Sequence, residues 1–483
     1  MSEPNATLCL LLPDLTTLSH EQKDALIVKL WNETVALRLE VEHLRDLNTI
    51  LERRLSELET KLNQPPKDSS NSSVPPSKDR KKSKPATRRP KSIRRASVGR
   101  KGGGRPLHPD PDQQIHARAK TCPHCGVEVP QAEQHLHAVY DKIEIPPVKP
   151  VVTRVHQYGG HCASCDRDFV SLVPKGMEPG SPFGASIQAL ATYYRYTHAI
   201  SYERLSRMFA DLYNLLISEG ALANLFQSTK DRIDDRTAEI LERIRSSRLI
   251  CSDETGVRVN GRNEWEWVFQ NQDVCVHVIR PSRGSAVIQE VMAGHRPKIW
   301  VSDLLKSQKN NPAELWQVCQ AHQLRDCQYA VDAGDSIFAP RMKRVVLRAI
   351  AIHKRRGTLA QSTLYNYRLD MKRRLQECLA IEPAQADGIR LKKRYLDLKE
   401  NLFLFLEDDT IPTTNNSSEQ AFRMSKVFMK VTNCFRSDWG KELFAGVRSV
   451  INTGKRQGLN AYQAIKRALS PFDSFFGSQP AQE

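Results

Sequence analysis

Leucines at positions 30, 37, 44, 51 and 58 fall seven residues apart, and Ile27, Thr34, Val41, Asn48, Leu55 and Leu62 occupy the position three residues earlier in each heptad. This is an a/d seam sustained over five heptads, the pattern of a helix whose apolar stripe faces another helix. Ser19 with Gln22 forms a capping signature at its start, and Pro65-Pro66 ends it. A helix of that span is ~65 Å long at 1.5 Å per residue and cannot bury its own stripe. The simplest partner is a second copy, and the polar a-position Asn48 is of the kind that selects a two-stranded register.

The heptads occupy a small part of a 483-residue chain, a length that implies about three domains. The formal net charge is +17 and 40% of residues are hydrophobic, so the chain can bury a core and still attract a polyanion. No stretch approaches the ~18 apolar residues of a spanning helix, and the Leu8 to Leu12 run is short and lacks a basic leader, so a cytoplasmic protein is expected. Eleven cysteines without an export signal favour metal binding or reduced thiols over a disulfide framework.

Between Lys67 and Arg105 stand fourteen Lys or Arg and two acids, so this segment carries twelve of the seventeen net charges. It is also rich in Ser, Pro and Gly, a composition that buries too little apolar surface to offset ordering entropy. Residues 65–110 are therefore expected to be a disordered basic linker that contacts phosphate without sequence preference. After it, Cys122-Pro-His-Cys125 and, 36 residues on, Cys162-Ala-Ser-Cys165 offer four thiolates, a closed tetrahedral shell for a structural zinc. The span between them has room for a hairpin with strands Tyr140 to Ile145 and Val151 to Tyr158 around Pro146-Pro147. His124 and His161 are read as bystanders.

From Phe183 to Ile233 the pattern is helical. Ser201 to Phe209 and Ser218 to Phe226, with Ser218 as an N-cap, resemble a helix-turn-helix that reads DNA; an ordinary helical pair has the same pattern. From residue 249 the period changes. Leu249 to Asp253 reads as a buried strand ending in an acid, and Asn260-Gly261 is a strong hairpin signal. Trp265, Trp267 and Phe269 alternate on one face of the next strand, and Val274, Val276 and Val278 form a third. A helix from Ser285 to Met292 leads to a fourth strand, Lys298 to Asp303, which again ends in an acid. Three meandering strands, a helix and a returning strand open a ribonuclease-H-like fold, in which the first and fourth strands are neighbours. Asp253 and Asp303 would then meet, and two carboxylates so placed repel unless a cation lies between them. Two Mg²⁺ or Mn²⁺ ions about 3.5 to 4 Å apart suit such hard oxygen ligands. A third acid is expected from a later helix: in Asn415-Asn416-Ser417-Ser418-Glu419 polar residues cap the helix and Glu419 lies in its first turns. Asp326 and Asp332 compete weakly for the second acid but fall inside a helical stretch, on which Cys319 and His322 are spaced like ligands on one helical face. Residues 335–406 read as a basic helical insertion. No phosphate-binding loop is present in the sequence.

These residues resemble a known family. The chain is similar to bacterial transposases of the insertion-sequence sixty-six family, in the order coiled coil, Cys-x-x-Cys zinc module, Asp-Asp-Glu nuclease domain. The resemblance rests on Asp253-Glu254-Thr255 with Val257-Arg258-Val259, on Cys319-Gln320-Ala321-His322 with Arg325, on Asn415-Asn416-x-x-Glu419, and on Gly458-Leu459-Asn460-Ala461-Tyr462. Leu304-Leu305 follow the second Asp where the family commonly has Gly-Tyr, and Gln420 replaces the Arg usual after the Glu.

The resemblance implies a catalytic triad of Asp253, Asp303 and Glu419. It also gives weight to His322, Arg325 and Arg423, which either stand behind the carboxylates or contact DNA. The implied activity is metal-dependent 3′-end cleavage at terminal inverted repeats followed by strand transfer into target DNA. A homodimer and accessory proteins of the same element are the implied partners, and the bacterial nucleoid is the implied location. The expected architecture is multidomain α+β: a coiled coil over 1–64, the linker over 65–110, a four-cysteine zinc module over 111–178, a helical DNA-binding region over 179–245, a ribonuclease-H-like catalytic domain over 246–460 with its helical insertion, and a C-terminal helix and tail over 461–483. The alternatives are a transposase-derived regulatory protein that no longer cuts, and a nuclease of the same fold.

Overall fold

The computed structural model describes residues 15–62, 64–72, 74, 105–470 and 475–476. The greater part of the basic linker, 75–104, lies outside the described residues, as do residues 471–474 and 477–483 of the C-terminal tail. The chain divides into two compact units, one comprising residues 1–79, 324–345 and 374–397, the other 80–323, 346–373 and 398–483.

In the first unit, helix α1 spans His20–Leu62. Its start is closed by the reciprocal box the sequence announces: the Ser19 amide donates to Gln22 Oε1 at 3.0 Å and the Gln22 amide to Ser19 Oγ at 3.3 Å. Beyond α1, residues 64–72 make turns in which Asn71 is buried and donates to Asp332 Oδ2 at 3.0 Å. The same unit holds a small core of Phe338, Cys327 and Tyr395, with the Cys327 thiol 3.3 Å from the Tyr395 hydroxyl.

The second unit contains a five-stranded sheet. Its strands are β3 (Leu249–Val259), β4 (Arg262–Gln270), β5 (Cys275–Arg280), β6 (Ile299–Ser302) and β7 (Leu315–Val318), in the order β5-β4-β3-β6-β7. β3 runs antiparallel to β4 and parallel to β6, which is parallel to β7. Helix α5 (Ser285–Met292) makes the crossover from β5 to β6. The Asn260-Gly261 turn has both residues at positive φ, 48° and 76°, the backbone that a tight two-residue hairpin requires. Trp267 and Phe269, two residues apart and so on one face of β4, are fully buried. β7 is not legible in the sequence: four residues ahead of a helix carry too little alternation to be told from the helix itself.

The sheet packs on α4 (Glu219–Arg245) and α13 (Asp438–Arg456), with Phe226, Ile233, Phe444, Val447 and Ile451 buried between them. α13 also covers the edge strand β5: Ser449 Oγ accepts the His277 amide at 2.8 Å and Thr453 Oγ1 the Cys275 amide at 3.0 Å, so edge groups that could recruit another chain are occupied. α14 (Ala461–Leu469) packs so closely on α13 that a Cβ at Gly454 would collide with Ala464. Ahead of α4 lie α2 (Ala185–His198) and α3 (Tyr202–Tyr213), with Ser201 and Ser218 capping α3 and α4 as side-chain acceptors. α4 continues far past Phe226, and its apolar face is core.

The cysteine region departs from expectation. The only paired strands among its described residues are β1 (Gly159–Cys162) and β2 (Arg167–Val170), around the second Cys-x-x-Cys; an isolated antiparallel bridge, Thr121 with Glu128, flanks the first, and 140–158 carry no strand. Pro146, Pro147 and Pro150 remove the amide donors a ladder there would need.

Candidate active site

β3 and β6 pair with a constant offset of fifty residues, Cys251 opposite Val301 being the last pair. Carried two residues further, the same offset sets Asp253 opposite Asp303, just beyond the end of β6. Each carboxylate is steadied by the local backbone: Asp253 Oδ1 accepts the Glu254 amide at 2.9 Å and Asp303 Oδ1 the Leu305 amide at 2.9 Å. Asp253, Glu254 and Asp303 each present an oxygen within 4.8 Å of the others. Sequence reasoning brings the two aspartates together but overlooks Glu254, although it sits inside the motif that draws attention to its neighbour. Alternation along a strand sends 253 and 254 to opposite faces; both still reach one place because β3 outruns β6 here.

Glu254 is buried and held from two sides. Arg283 Nη2 donates to its Oε1 at 3.0 Å, and Gln308 Nε2, from the short helix α6 (Lys306–Lys309) after β6, donates to its Oε2 at 2.9 Å. Gln308 also accepts the Trp300 indole N–H at 3.0 Å, which ties this support to the core. Burial raises the Asp253 carboxyl well above the usual carboxylate range, and Glu254, Asp303 and Glu419 reinforce it; burial and then Asp303 raise Glu254, against the pull of Gln308 and Arg283. This is a site of mutually repelling acids in poor contact with water, the environment a divalent cation relieves.

Glu419 lies in the first turn of α11 (Asn416–Ala421) and is exposed. It is not one of the three clustered carboxylates, but it is near enough to raise Asp253. Its Oε1 lies 3.9 Å from His322 Nε2. Asn415 has another task than the expected cap. It is fully buried, and its side-chain amide donates to the Ser252 carbonyl at 2.7 Å while its oxygen accepts the Ser418 hydroxyl at 2.6 Å. Gln270 of β4 reaches the same turn through Ser417 and Ser418. The helix bearing Glu419 is thereby strapped to the strands bearing Asp253.

Cys319 and His322 do not share one helical face. Cys319 precedes α7 (Gln320–Asp332), donates its amide to the Ser302 carbonyl at 2.8 Å as a continuation of β7, and takes the Asn415 amide on its thiol at 3.2 Å. His322 and Arg325 lie in α7, as do Asp326 and Asp332, and Arg423 is exposed at the start of α12 (Arg423–Thr432).

A family model described as transposase IS66 family matches residues 180–443, more than half of the chain and all of the sheet. The chain belongs to the IS66 transposase family. Residues 10–113, which include α1, match a family of unknown function, DUF6444. No curated protein matches. Membership makes this IS66 transposase a DNA-processing protein, and no helix among the described residues is long and apolar enough to cross a membrane.

In the cysteine region, backbone amides of His124 and Cys125 lower the Cys122 thiol, and those of Cys165 and Ser164 lower the Cys162 thiol, so each Cys-x-x-Cys forms a knuckle that favours thiolate. Among the described residues, the two knuckles are not gathered into a common set of ligand atoms within 4.8 Å. His161 lies 3.3 Å from Asp166 and 3.1 Å from Asp168.

Proposed function

We propose that this IS66 transposase cleaves DNA at the 3′ ends of an element's terminal inverted repeats and joins those ends to target DNA, with Asp253, Asp303 and Glu419 as its catalytic carboxylates. The observation that carries the reading is the approach of Asp253 and Asp303 at the open end of the β3–β6 pair. The order β5-β4-β3-β6-β7, three antiparallel strands continued by two parallel ones, supports a ribonuclease-H-like catalytic domain over 246–460.

The donor set fits Mg²⁺ or Mn²⁺: hard oxygens, crowded, and in Asp253 shifted toward protonation by burial and by the neighbouring carboxylates. Two such ions would polarise the scissile phosphate and lower the pKa of water or of a 3′-hydroxyl. The protein's own contribution is placement. Backbone amides orient Asp253 and Asp303, the Asn415 strap carries Glu419 toward them, and Arg283 with Gln308 holds Glu254 in place beside the pair. His322 beside Glu419, with Arg325 and Arg423, orients the third acid or meets the DNA backbone. Both chemical steps are in-line displacements at phosphorus, first by water and then by the freed 3′-hydroxyl.

Cys122, Cys125, Cys162 and Cys165 are proposed to hold one structural zinc, which the two preformed knuckles favour. The α3–α4 pair and the basic helices α8 (Phe338–Arg355), α9 (Gln361–Leu379) and α10 (Ala386–Leu398) supply DNA contacts, and two copies associate through α1 at the bacterial nucleoid, with accessory proteins of the same element as further partners.

The test uses labelled terminal-repeat DNA with Mg²⁺. Wild type is expected to yield nicked and joined products and Asp253→Asn neither. Equal cleavage by the two proteins removes this mechanism; cleavage without joining by the wild type points to a nuclease.

A further inference from the structure

Among the described side chains, which reach to Leu55, the apolar seam of α1 has no cover. Ile27, Leu30, Leu37, Leu44, Leu51 and Leu55 are each between 53% and 63% exposed, a continuous stripe along most of the helix that a protein in water does not leave open. We propose that α1 pairs with α1 of a second copy as a parallel, in-register coiled coil, so that both chains leave it from the same end. This deepens the dimer reading above and rests on it.

The flanking charges carry the argument. With Ile27 at an a position, Glu33, Glu40 and Arg54 occupy g positions, and Arg38, Arg45 and Glu59 occupy the e positions five residues later. In a parallel in-register pair each g residue faces the e′ residue five further on in its partner. The pairs are Glu33 with Arg38, Glu40 with Arg45 and Arg54 with Glu59 of the partner copy. All are of opposite sign, and two-fold symmetry repeats each one.

Asn48 supplies an independent argument. It is an a-position residue, and all five d positions are leucine. An antiparallel pair sets a against d′, so Asn48 would be buried against leucine in any antiparallel alignment with its amide unsatisfied. A parallel pair shifted by a heptad sets it against Val41 or Leu55. Only the parallel in-register pair brings the two Asn48 amides together, where they can bond to one another. In the single chain Asn48 Nδ2 is turned to Glu52 Oε1 at 3.1 Å, a neighbour one turn on, so its side chain is available to rearrange.

The orientation has a consequence for transposition. An antiparallel pair would send the two continuing chains out ~65 Å apart, at opposite ends of a 43-residue helix. A parallel pair releases both linkers at one point, as a protein that must bring two DNA ends together requires.

The test uses full chains carrying different affinity tags. One variant reverses the g charges (Glu33→Lys, Glu40→Lys, Arg54→Glu) and the other the e charges (Arg38→Glu, Arg45→Glu, Glu59→Lys). Alone, each is expected to self-associate at least about tenfold more weakly than wild type in sedimentation, because six attractive contacts become repulsive. Mixed, they are expected to recover the wild-type affinity as mixed pairs, since every g–e′ contact is again attractive. In an antiparallel pair g faces g′ and e faces e′, so reversing one whole set leaves each charged contact as it was. Self-pairs of undiminished affinity, or a statistical mixture of self-pairs and mixed pairs, overturn the parallel register while leaving dimerisation standing. A wild type that sediments as a monomer at micromolar concentration overturns the dimer reading itself.

Discussion

The side-chain amide of Asn415 donates to the backbone carbonyl of Ser252 at 2.7 Å across 163 positions of chain, and neither residue contributes a charge. Through that bond the turn that starts the Glu419 helix is fixed to β3 immediately before Asp253. Asn415→Leu should leave the Ser252 carbonyl buried without its donor and remove the acceptor of the Ser418 hydroxyl, a loss of about 1 to 3 kcal/mol. Thermal melting should show a Tm lower by several degrees. Metal-dependent strand cleavage, assayed well below the new Tm, should fall further than unfolding explains. Cleavage at the wild-type rate would mean that Glu419 does not depend on the strap.

The raised carboxyls of Asp253 and Glu254 set the sign of a pH effect. A carboxyl whose pKa is higher folded than unfolded stabilises the fold at pH values below its ordinary range of about 4, and that contribution is lost as pH rises through the folded pKa. Without divalent cation the contribution of these two carboxyls to stability should therefore fall as pH rises above about 4. Mg²⁺ should restore it, with a larger Tm increase at pH 8 than at pH 5.5, because protons and cation compete for the same oxygens. Asp253→Asn should shrink the Mg²⁺ increment. A Tm response to Mg²⁺ that is the same at both pH values, or unchanged in the variant, counts against metal binding here.

The third carboxylate can be settled by comparing two substitutions. If Glu419 is catalytic, Glu419→Gln should abolish cleavage by a factor of about 10³ or more while the fold keeps its Tm, since the residue is exposed. Glu254→Gln keeps the side-chain shape and one of the two acceptors that Arg283 and Gln308 use, and should retain measurable cleavage. The opposite ranking would transfer the role to Glu254.

For the cysteines, purified protein should contain about one zinc per chain, released by a thiol-modifying reagent and read with a chromogenic chelator. Cys122→Ser or Cys162→Ser should lower that content to near zero, because a three-thiolate site loses its closed shell. Full zinc content in both variants would place the metal elsewhere.

Asp408 gives a control far from metal chemistry. Burial works against its ionised form, but hydrogen bonds from Thr410 and Arg248 outweigh it and hold the carboxyl down at about 2. A depressed carboxylate contributes stability above its unfolded pKa of about 4 that disappears as pH falls through 2. Arg248 is half exposed, so solvent screening reduces the Asp408→Asn effect to ~1 kcal/mol at pH 7. The difference between variant and wild type in denaturant melts should shrink below about pH 4 and vanish only below about pH 2.

What the amino-acid order determined by itself was local in origin. The 43-residue α1 and its Ser19–Gln22 box follow from a seven-residue period and a three-residue spacing. The Asn260-Gly261 hairpin follows from two residues that tolerate positive φ, and the position of Asp303 just past β6 from an apolar run that stops at an acid, whereas Asp253, expected at a strand end, lies inside β3, which continues to Val259 because β4 pairs with it along its length. Tertiary structure alone decided which groups share a site. Glu254 joins the aspartates because β6 ends before β3 does, Asn415 binds Ser252 instead of its own helix, and Cys319 extends β7 instead of facing His322 along α7. β7 itself exists because β6 offers a ladder to a segment too short to declare itself. Each of these outcomes depends on partners tens to hundreds of residues away. Periodicity and capping describe how a chain meets its near neighbours and carry no record of such distant ones.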